Sequence, residues 1–127
     1  MANLNHLSRM LVVEDEAIIA LDIESTLRDA GVNDIAVTSS EDEALQLIEA
    51  GNFDAAVLDL HLGFNSWTYA IARALRAKAV PFIFSSGTVD IADGYADVPL
   101  VMKPFSTDQL LAALLQVTTP PQQMAAQ

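Results

Sequence analysis

Cysteine is absent from the 127 residues. That excludes disulfides, thiol chemistry and thiolate metal sites, and it fits a reducing compartment. Cations are scarce: 6 Lys and Arg stand against 17 Asp and Glu, for a net charge of −11. Such a chain repels nucleic-acid phosphate, and no basic run makes a local exception, so direct DNA or RNA binding is not expected. No apolar run approaches the roughly 20 residues needed to span a bilayer. The first such run, Met10 to Val13, is short and acids follow it at once, so it is not a signal peptide. These absences point to the cytoplasm, with neither membrane nor nucleic acid as partner.

What is present describes one domain. Hydrophobic residues make up 52% of the chain and charged residues 18%, which argues for a packed core rather than disorder. Strand-like and helix-like segments alternate. Met10–Val13 reads as a buried strand and residues 16–30 as a helix, with apolar Ile18, Ile19, Leu21, Ile23 and Leu27, closed by Gly31. Asp34–Val37 is a second strand. Ser40 and Glu43 then have capping-box spacing for a helix over 41–50. A third strand spans 54–58, and an Ala- and Leu-rich helix, 66–77, carries Arg73, Arg76 and Lys78 toward its C-terminus. Pro81 opens the fourth strand, where a missing N–H is tolerated. The segment 88–95 is interrupted by Gly94 and predicts at most a short helix. Val98–Met102 is the fifth strand, and Ser106 caps a last helix through Leu115. Residues 1–117 thus form one domain with an ordered core from about 8 to 117, and 118–127, with Pro120-Pro121, reads as a disordered tail. Alternating strands and helices imply a doubly wound parallel sheet with right-handed crossovers. The flavodoxin-like (βα)5 order 2-1-3-4-5 fits five strands best, with a short or distorted fourth helix.

Five polar residues stand at the ends of the apolar runs: Glu14, Asp15, Asp59, Ser86 and Lys103. In open α/β sheets ligands bind at that carboxyl edge. Gathered carboxylates repel one another; at about 4 Å and an effective dielectric near 20, each pair costs on the order of 4 kcal/mol. A proton or a cation must offset this. Oxygen ligands without a His–Cys cluster favour Mg²⁺ or Mn²⁺ over zinc. An ionised Asp59 could then attack phosphorus, as in aspartyl-phosphate chemistry, with Lys103 and the Ser86 hydroxyl stabilising the phosphoryl oxygens.

Each residue also has an ordinary explanation. Glu14 and Asp15 can cap the helix that follows, Asp59 can be a turn residue, Ser86-Gly87 is common turn chemistry, and Lys103 can be a surface lysine. The joint placement on four strand ends carries the argument. His61 reads as lining the pocket rim rather than as a side-chain ligand, and its backbone carbonyl faces the metal. His6 suggests no role. Trp67 and Tyr69, read as lying on the third helix, are expected to pack or to meet a partner.

The chain resembles response-regulator receiver domains of two-component signalling. The resemblance rests on Leu11-Val12-Val13-Glu14-Asp15-Glu16, Val57-Leu58-Asp59-Leu60, Pro81-Phe82-Ile83-Phe84-Ser85-Ser86-Gly87 and Lys103-Pro104-Phe105, across residues 8–117, with 44 positions from Asp15 to Asp59. It implies that Asp59 accepts a phosphoryl group from the phosphohistidine of a histidine kinase or phosphotransfer protein. It implies Mg²⁺ held by Asp15, Asp59 and the His61 carbonyl, with Glu14 acting through water. Lys103 would contact the phosphoryl group, and Ser86 would bond it and draw in the following loop. The partner would dock over the first helix and Pro104-Phe105, with Ile18 and Leu21 shared between core and interface. Such a protein is a switch that catalyses its own phosphorylation and dephosphorylation, not an enzyme acting on other substrates. It signals by contact with a downstream protein or by phosphorelay.

Three departures stand out. Ser86 replaces the commoner threonine, Leu100 occupies a position where many members carry a switching aromatic, and only 16 residues separate Ser86 from Lys103. Phe84-Ser85-Ser86-Gly87 is similar to the Phe-Ala-Thr-Gly motif of an alphaproteobacterial subgroup. Met1 and the tail favour a stand-alone, single-domain regulator. The alternatives are a phosphorylation-independent interaction module on the same fold and an aspartyl-phosphate phosphatase. The phosphatase reading lacks a second aspartate two residues after Asp59, where His61 stands.

Overall fold

The computed structural model describes residues 3–63, 67–88, 91 and 94–119. In chain order the elements are β1 (Arg9–Val13), α1 (Ala17–Asp29), β2 (Asp34–Thr38), α2 (Glu41–Ala50), β3 (Ala55–Asp59), α3 (Tyr69–Ala77), β4 (Phe82–Ser86), β5 (Leu100–Met102) and α4 (Thr107–Thr118). The strands form one parallel sheet in the order β2-β1-β3-β4-β5, as expected. Strands β1, β3 and β4 are nearly unbroken apolar runs because both of their faces are covered.

Strand alternation divides the core in two. Met10, Val12, Ala55, Val57, Ile83 and Val101 meet α1 and α4, whereas Leu11, Val13, Ala56, Leu58 and Phe84 meet α2 and α3. Within α1 the buried side chains are Ala20, Ile23 and Leu27. Burying Ile23 and Leu27 contributes roughly 1.5–3 kcal/mol each. Ile18 and Leu21 are not shared with the core; they are 83% and 66% exposed, because at helical spacing they fall outside the buried stripe.

The helix termini differ from expectation in detail. Ser40 accepts a bond from the Glu43 N–H, but the Ser40 N–H goes to the Thr38 hydroxyl, so the reciprocal half of that capping box is absent. The complete capping box belongs to Ser106 and Gln109 at the start of α4. Helix α3 starts at Tyr69, and Trp67 precedes it in a bridge with His61, so Trp67 is not a helical residue; Ser66 lies outside the described residues. Between β4 and β5 no helix occurs among the described residues, and 89, 90, 92 and 93 lie outside them. The fifth strand is shorter than expected, and α4 runs to Thr118, inside the segment read as tail, of which 120–127 lie outside the described residues.

The N-terminal segment also packs. Leu4 and Leu7 are buried in the α1–α4 half of the core, and the Leu4 N–H donates to the Ala30 carbonyl. Gly31, at φ 111°, lets the chain pass beside Asn5, whose Oδ1 stands where an added Cβ would go. No helix among the described residues is long and apolar enough to cross a membrane.

Candidate functional site

All four strand-end positions converge at the carboxyl edge. Glu14 follows β1, Asp59 ends β3, Ser86 ends β4 and Lys103 follows β5. The sheet order puts β1, β3 and β4 side by side, which brings together residues 89 positions apart in sequence. Lys103 Nζ lies 3.0 Å from Glu14 Oε1 and 3.2 Å from Asp59 Oδ2. Glu16 Oε1 stands farther off, at 3.9 Å.

Glu14 and Asp59 are 2% and 4% exposed, deep enough for desolvation to dominate their ionisation. Burial pushes the Glu14 carboxyl up to about 7; the Lys103 bond opposes that shift, while neighbouring Asp59 reinforces it. Burial also raises Asp59, against the lowering effect of Glu14, Lys103 and the His61 N–H. Lys103 is pulled down by burial, but its bonds to Glu14 and the charge of Asp59 outweigh this and raise it. The two acids therefore share a strong demand for positive charge, and one ammonium meets part of it.

Asp15 is exposed, and its Oδ2 accepts from the Gly63 N–H at 2.8 Å. Gly63 has φ 68°, a left-handed conformation that glycine adopts without strain, and this turns the β3–α3 loop toward Asp15. Asp59 Oδ1 accepts from the His61 N–H at 3.2 Å. The His61 ring rests on Trp67, with centroids 3.8 Å apart. Carboxylate oxygens of Glu14, Asp15 and Asp59 lie within 4.8 Å of one another. An oxygen-only donor set of this charge suits a hard divalent cation such as Mg²⁺, and the Lys103 ammonium already lies against two of its acids.

Ser86 is brought to the same edge, where its hydroxyl oxygen serves as an acceptor. It accepts from the Thr88 N–H at 2.9 Å, while the Ser86 carbonyl accepts from the Lys103 N–H at 2.8 Å. By alternation Ser86 shares the α2–α3 face with Phe84. Leu100 pairs with Phe84 in the ladder and packs against the same half of the core.

One contributor escaped the sequence reading. The Thr68 hydroxyl, buried just ahead of α3, donates to the Asp59 carbonyl at 2.7 Å and lies 3.2 Å from the Leu60 carbonyl. A hydroxyl at a helix start is ordinarily read as a cap, but Thr68 makes no cap bond and pins the strand end instead. Only its position nine residues after Asp59, at the mouth of the following helix, could have flagged it.

Fold and site together define a doubly wound α/β module with an acidic cluster at its carboxyl edge, and the comparisons give its family. The chain belongs to the response regulator receiver domain family, whose model matches residues 10–115. Domains of this family are signalling modules of two-component systems. The chain is 32% identical over 113 residues to the cell cycle response regulator CtrA of Brucella ovis, covering 84% of this chain and 48% of that protein. It thus spans about half the length of the curated relatives it matches. Among solved structures, SdrG from Sphingomonas melonis Fr1 superposes with a TM-score of 0.81 at 31% identity, covering 90% of this chain and 98% of that one. The response regulator PhyR from Brucella abortus gives 0.80 at 27% identity, over 98% of this chain and 53% of that one.

Proposed function

We propose that this receiver domain takes a phosphoryl group on Asp59 from a phosphohistidine and passes the change on by protein contact or phosphorelay. The observation that carries this reading is the trio of Glu14, Asp59 and Lys103 at one sheet edge, with oxygen and ammonium contacts of 3.0 and 3.2 Å. In the transfer, a carboxylate oxygen of Asp59 bonds to phosphorus as the phosphorus–nitrogen bond of the donor breaks. The leaving imidazole keeps the electron pair of that bond. Hydrolysis reverses the state: water attacks phosphorus and Asp59 leaves as carboxylate with inorganic phosphate as the other product. Both steps are catalysed by the domain's own residues.

Glu14, Asp15 and Asp59, with the backbone carbonyl of His61, are the residues suited to hold Mg²⁺ or Mn²⁺, Glu14 through water. A bound divalent cation supplies charge neutralisation to the acids and to the phosphoryl oxygens. Lys103 is tethered within reach of Asp59 and balances the charge of the transferred group. The Ser86 hydroxyl, which accepts from the Thr88 N–H, keeps its own O–H to donate to that group.

The donor is a histidine kinase or a histidine phosphotransfer protein. A groove of about 430 Å³ beside the site, with Glu16, Ile19, Asp22, Lys103 and Phe105 among its lining residues, suits such a partner. Ile18 and Leu21, exposed on α1, extend that surface. Downstream the domain contacts another protein, in the cytoplasm. The run Phe84-Ser85-Ser86-Gly87 supports placing it near the Phe-Ala-Thr-Gly subgroup.

The test is incubation with Mg²⁺ and acetyl phosphate, followed by assay for acid-labile phosphate. Wild type is expected to take up one phosphate per chain, and Asp59→Asn none. No uptake from acetyl phosphate or from any kinase of the source organism would favour the phosphorylation-independent module. Turnover of added phosphate esters would favour the phosphatase.

A further inference from the structure

Ser86 has no aromatic partner on β5, because Leu100 stands there, half-buried and paired with Phe84. An aromatic reaches that place from elsewhere. Tyr95, on the β4–β5 connection, is 8% exposed and packs edge-on against Phe84, with centroids 5.9 Å apart. Its ring also lies 5.1 Å from Tyr69 at the start of α3. Phe84 is two residues before Ser86 on the same face of β4, so displacement of that strand end bears on the Phe84–Tyr95 contact.

Arg76 of α3 latches the connection from outside. Its guanidinium lies 4.3 Å over the Tyr95 ring, donates to the Gly94 carbonyl at 2.6 Å and pairs with Asp97 at 2.9 Å. A planar cation that stacks and donates at once holds a loop more rigidly than a lysine would. The near end of the connection is tied by the bond from the Thr88 N–H to the Ser86 hydroxyl. Movement of the Ser86 side chain toward a group on Asp59 shifts the strand end, and that shift bears on Tyr95 through Phe84.

We propose that Tyr95, latched by Arg76, is the positioning residue that couples Ser86 to the β4–β5 connection, in place of an aromatic at Leu100. This rests on the reading of Asp59 as phosphoacceptor. The same ring system continues through Tyr69 and Trp67 to His61, two residues past Asp59, with centroids 5.7 and 3.8 Å apart. Both loops flanking the acceptor are therefore read by one aromatic cluster.

The experiment measures amide hydrogen exchange at residues 94–99 with and without Mg²⁺ and acetyl phosphate, alongside phosphate uptake on the same samples. In wild type, uptake is expected to change exchange there by about tenfold, a local opening rather than a global one. Tyr95→Phe keeps the ring and is expected to retain the change. Tyr95→Leu and Arg76→Gln are expected to take up phosphate as wild type does yet lose more than about two thirds of the change. Arg76 is exposed, so Arg76→Gln decides the matter if Tyr95→Leu does not fold. A change of wild-type size in folded Tyr95→Leu or in Arg76→Gln overturns the proposal, as does its loss in Tyr95→Phe. A wild type that takes up phosphate without change at 94–99 overturns this inference alone. A wild type that takes up none overturns the acceptor reading and this one with it.

Discussion

Lys103 places its ammonium 3.0 and 3.1 Å from the two carboxylate oxygens of Glu14, although 89 residues separate them in the chain. The contact depends on the sheet order, which sets the ends of β1 and β5 around β3 and β4. Its energetic meaning follows from burial. Glu14 is nearly sealed from water, so the ammonium is its principal source of compensation, and Asp59 draws on the same charge.

Removing that ammonium should expose the imbalance. Lys103→Met is expected to destabilise the metal-free protein by roughly 1–3 kcal/mol near neutral pH, less than for a sealed pair because Glu14 can take up a proton. Metal affinity should survive, since every proposed ligand remains and a competing cation is gone. Urea denaturation in chelator and Mg²⁺ titration by calorimetry measure the two effects. Collapse of Mg²⁺ binding with unchanged stability would mean that the role of Lys103 is misassigned.

The metal-free protein should lose stability as pH rises through neutrality. The Glu14 carboxyl moves from its ordinary 4.5 up to about 7 on folding, so the folded chain holds a proton that the unfolded chain releases. Stability from this group is whole below about pH 4.5 and is lost as pH rises through about 7. The upward shift of Asp59 acts in the same sense. Urea midpoints in chelator between about pH 5.5 and 8 measure the slope, and Glu14→Gln should flatten it. A slope of equal size in Glu14→Gln would place the proton elsewhere.

Thr68→Val removes the bond to the Asp59 carbonyl while keeping the shape of the side chain. A cost of about 1–2 kcal/mol is expected, because a buried acceptor loses its donor. Phosphate uptake should fall too, since the end of β3 is no longer pinned. Thermal melts and an uptake time course read the two. Unchanged uptake with lowered stability would reduce Thr68 to a purely structural residue.

Ser106→Ala should cost about 1 kcal/mol through loss of the capping box with Gln109. Ser106 lies three residues past Lys103, so this variant also tests whether the site depends on the start of α4. A lowered melting temperature with wild-type uptake is the expected outcome. Impaired uptake would mean that α4 holds Lys103 in place.

The parallel sheet was legible in the sequence because β1, β3 and β4 are apolar runs with a polar residue at the end of each. Helix α1 was legible from its spacing, but the exposure of Ile18 and Leu21 was not, since periodicity marks a stripe without saying how wide the covered part is. The start of α3 is not legible, because Trp67 has no local signal for its bridge to His61. Spacing alone points to a capping box at Ser40, and the competing hydroxyl of Thr38 comes from the strand before.

The sequence by itself determined the residue types at the strand ends and the alternation that makes a doubly wound sheet. Both are written in neighbouring residues, where chain connectivity and strand geometry act. The tertiary structure decided which of those ends meet, that one ammonium serves two buried acids, that Thr68 holds the carbonyl of Asp59, and that Tyr95 packs edge-on against Phe84. Each of these joins residues distant in the chain, and only the packing of elements across the sheet brings them within bonding distance.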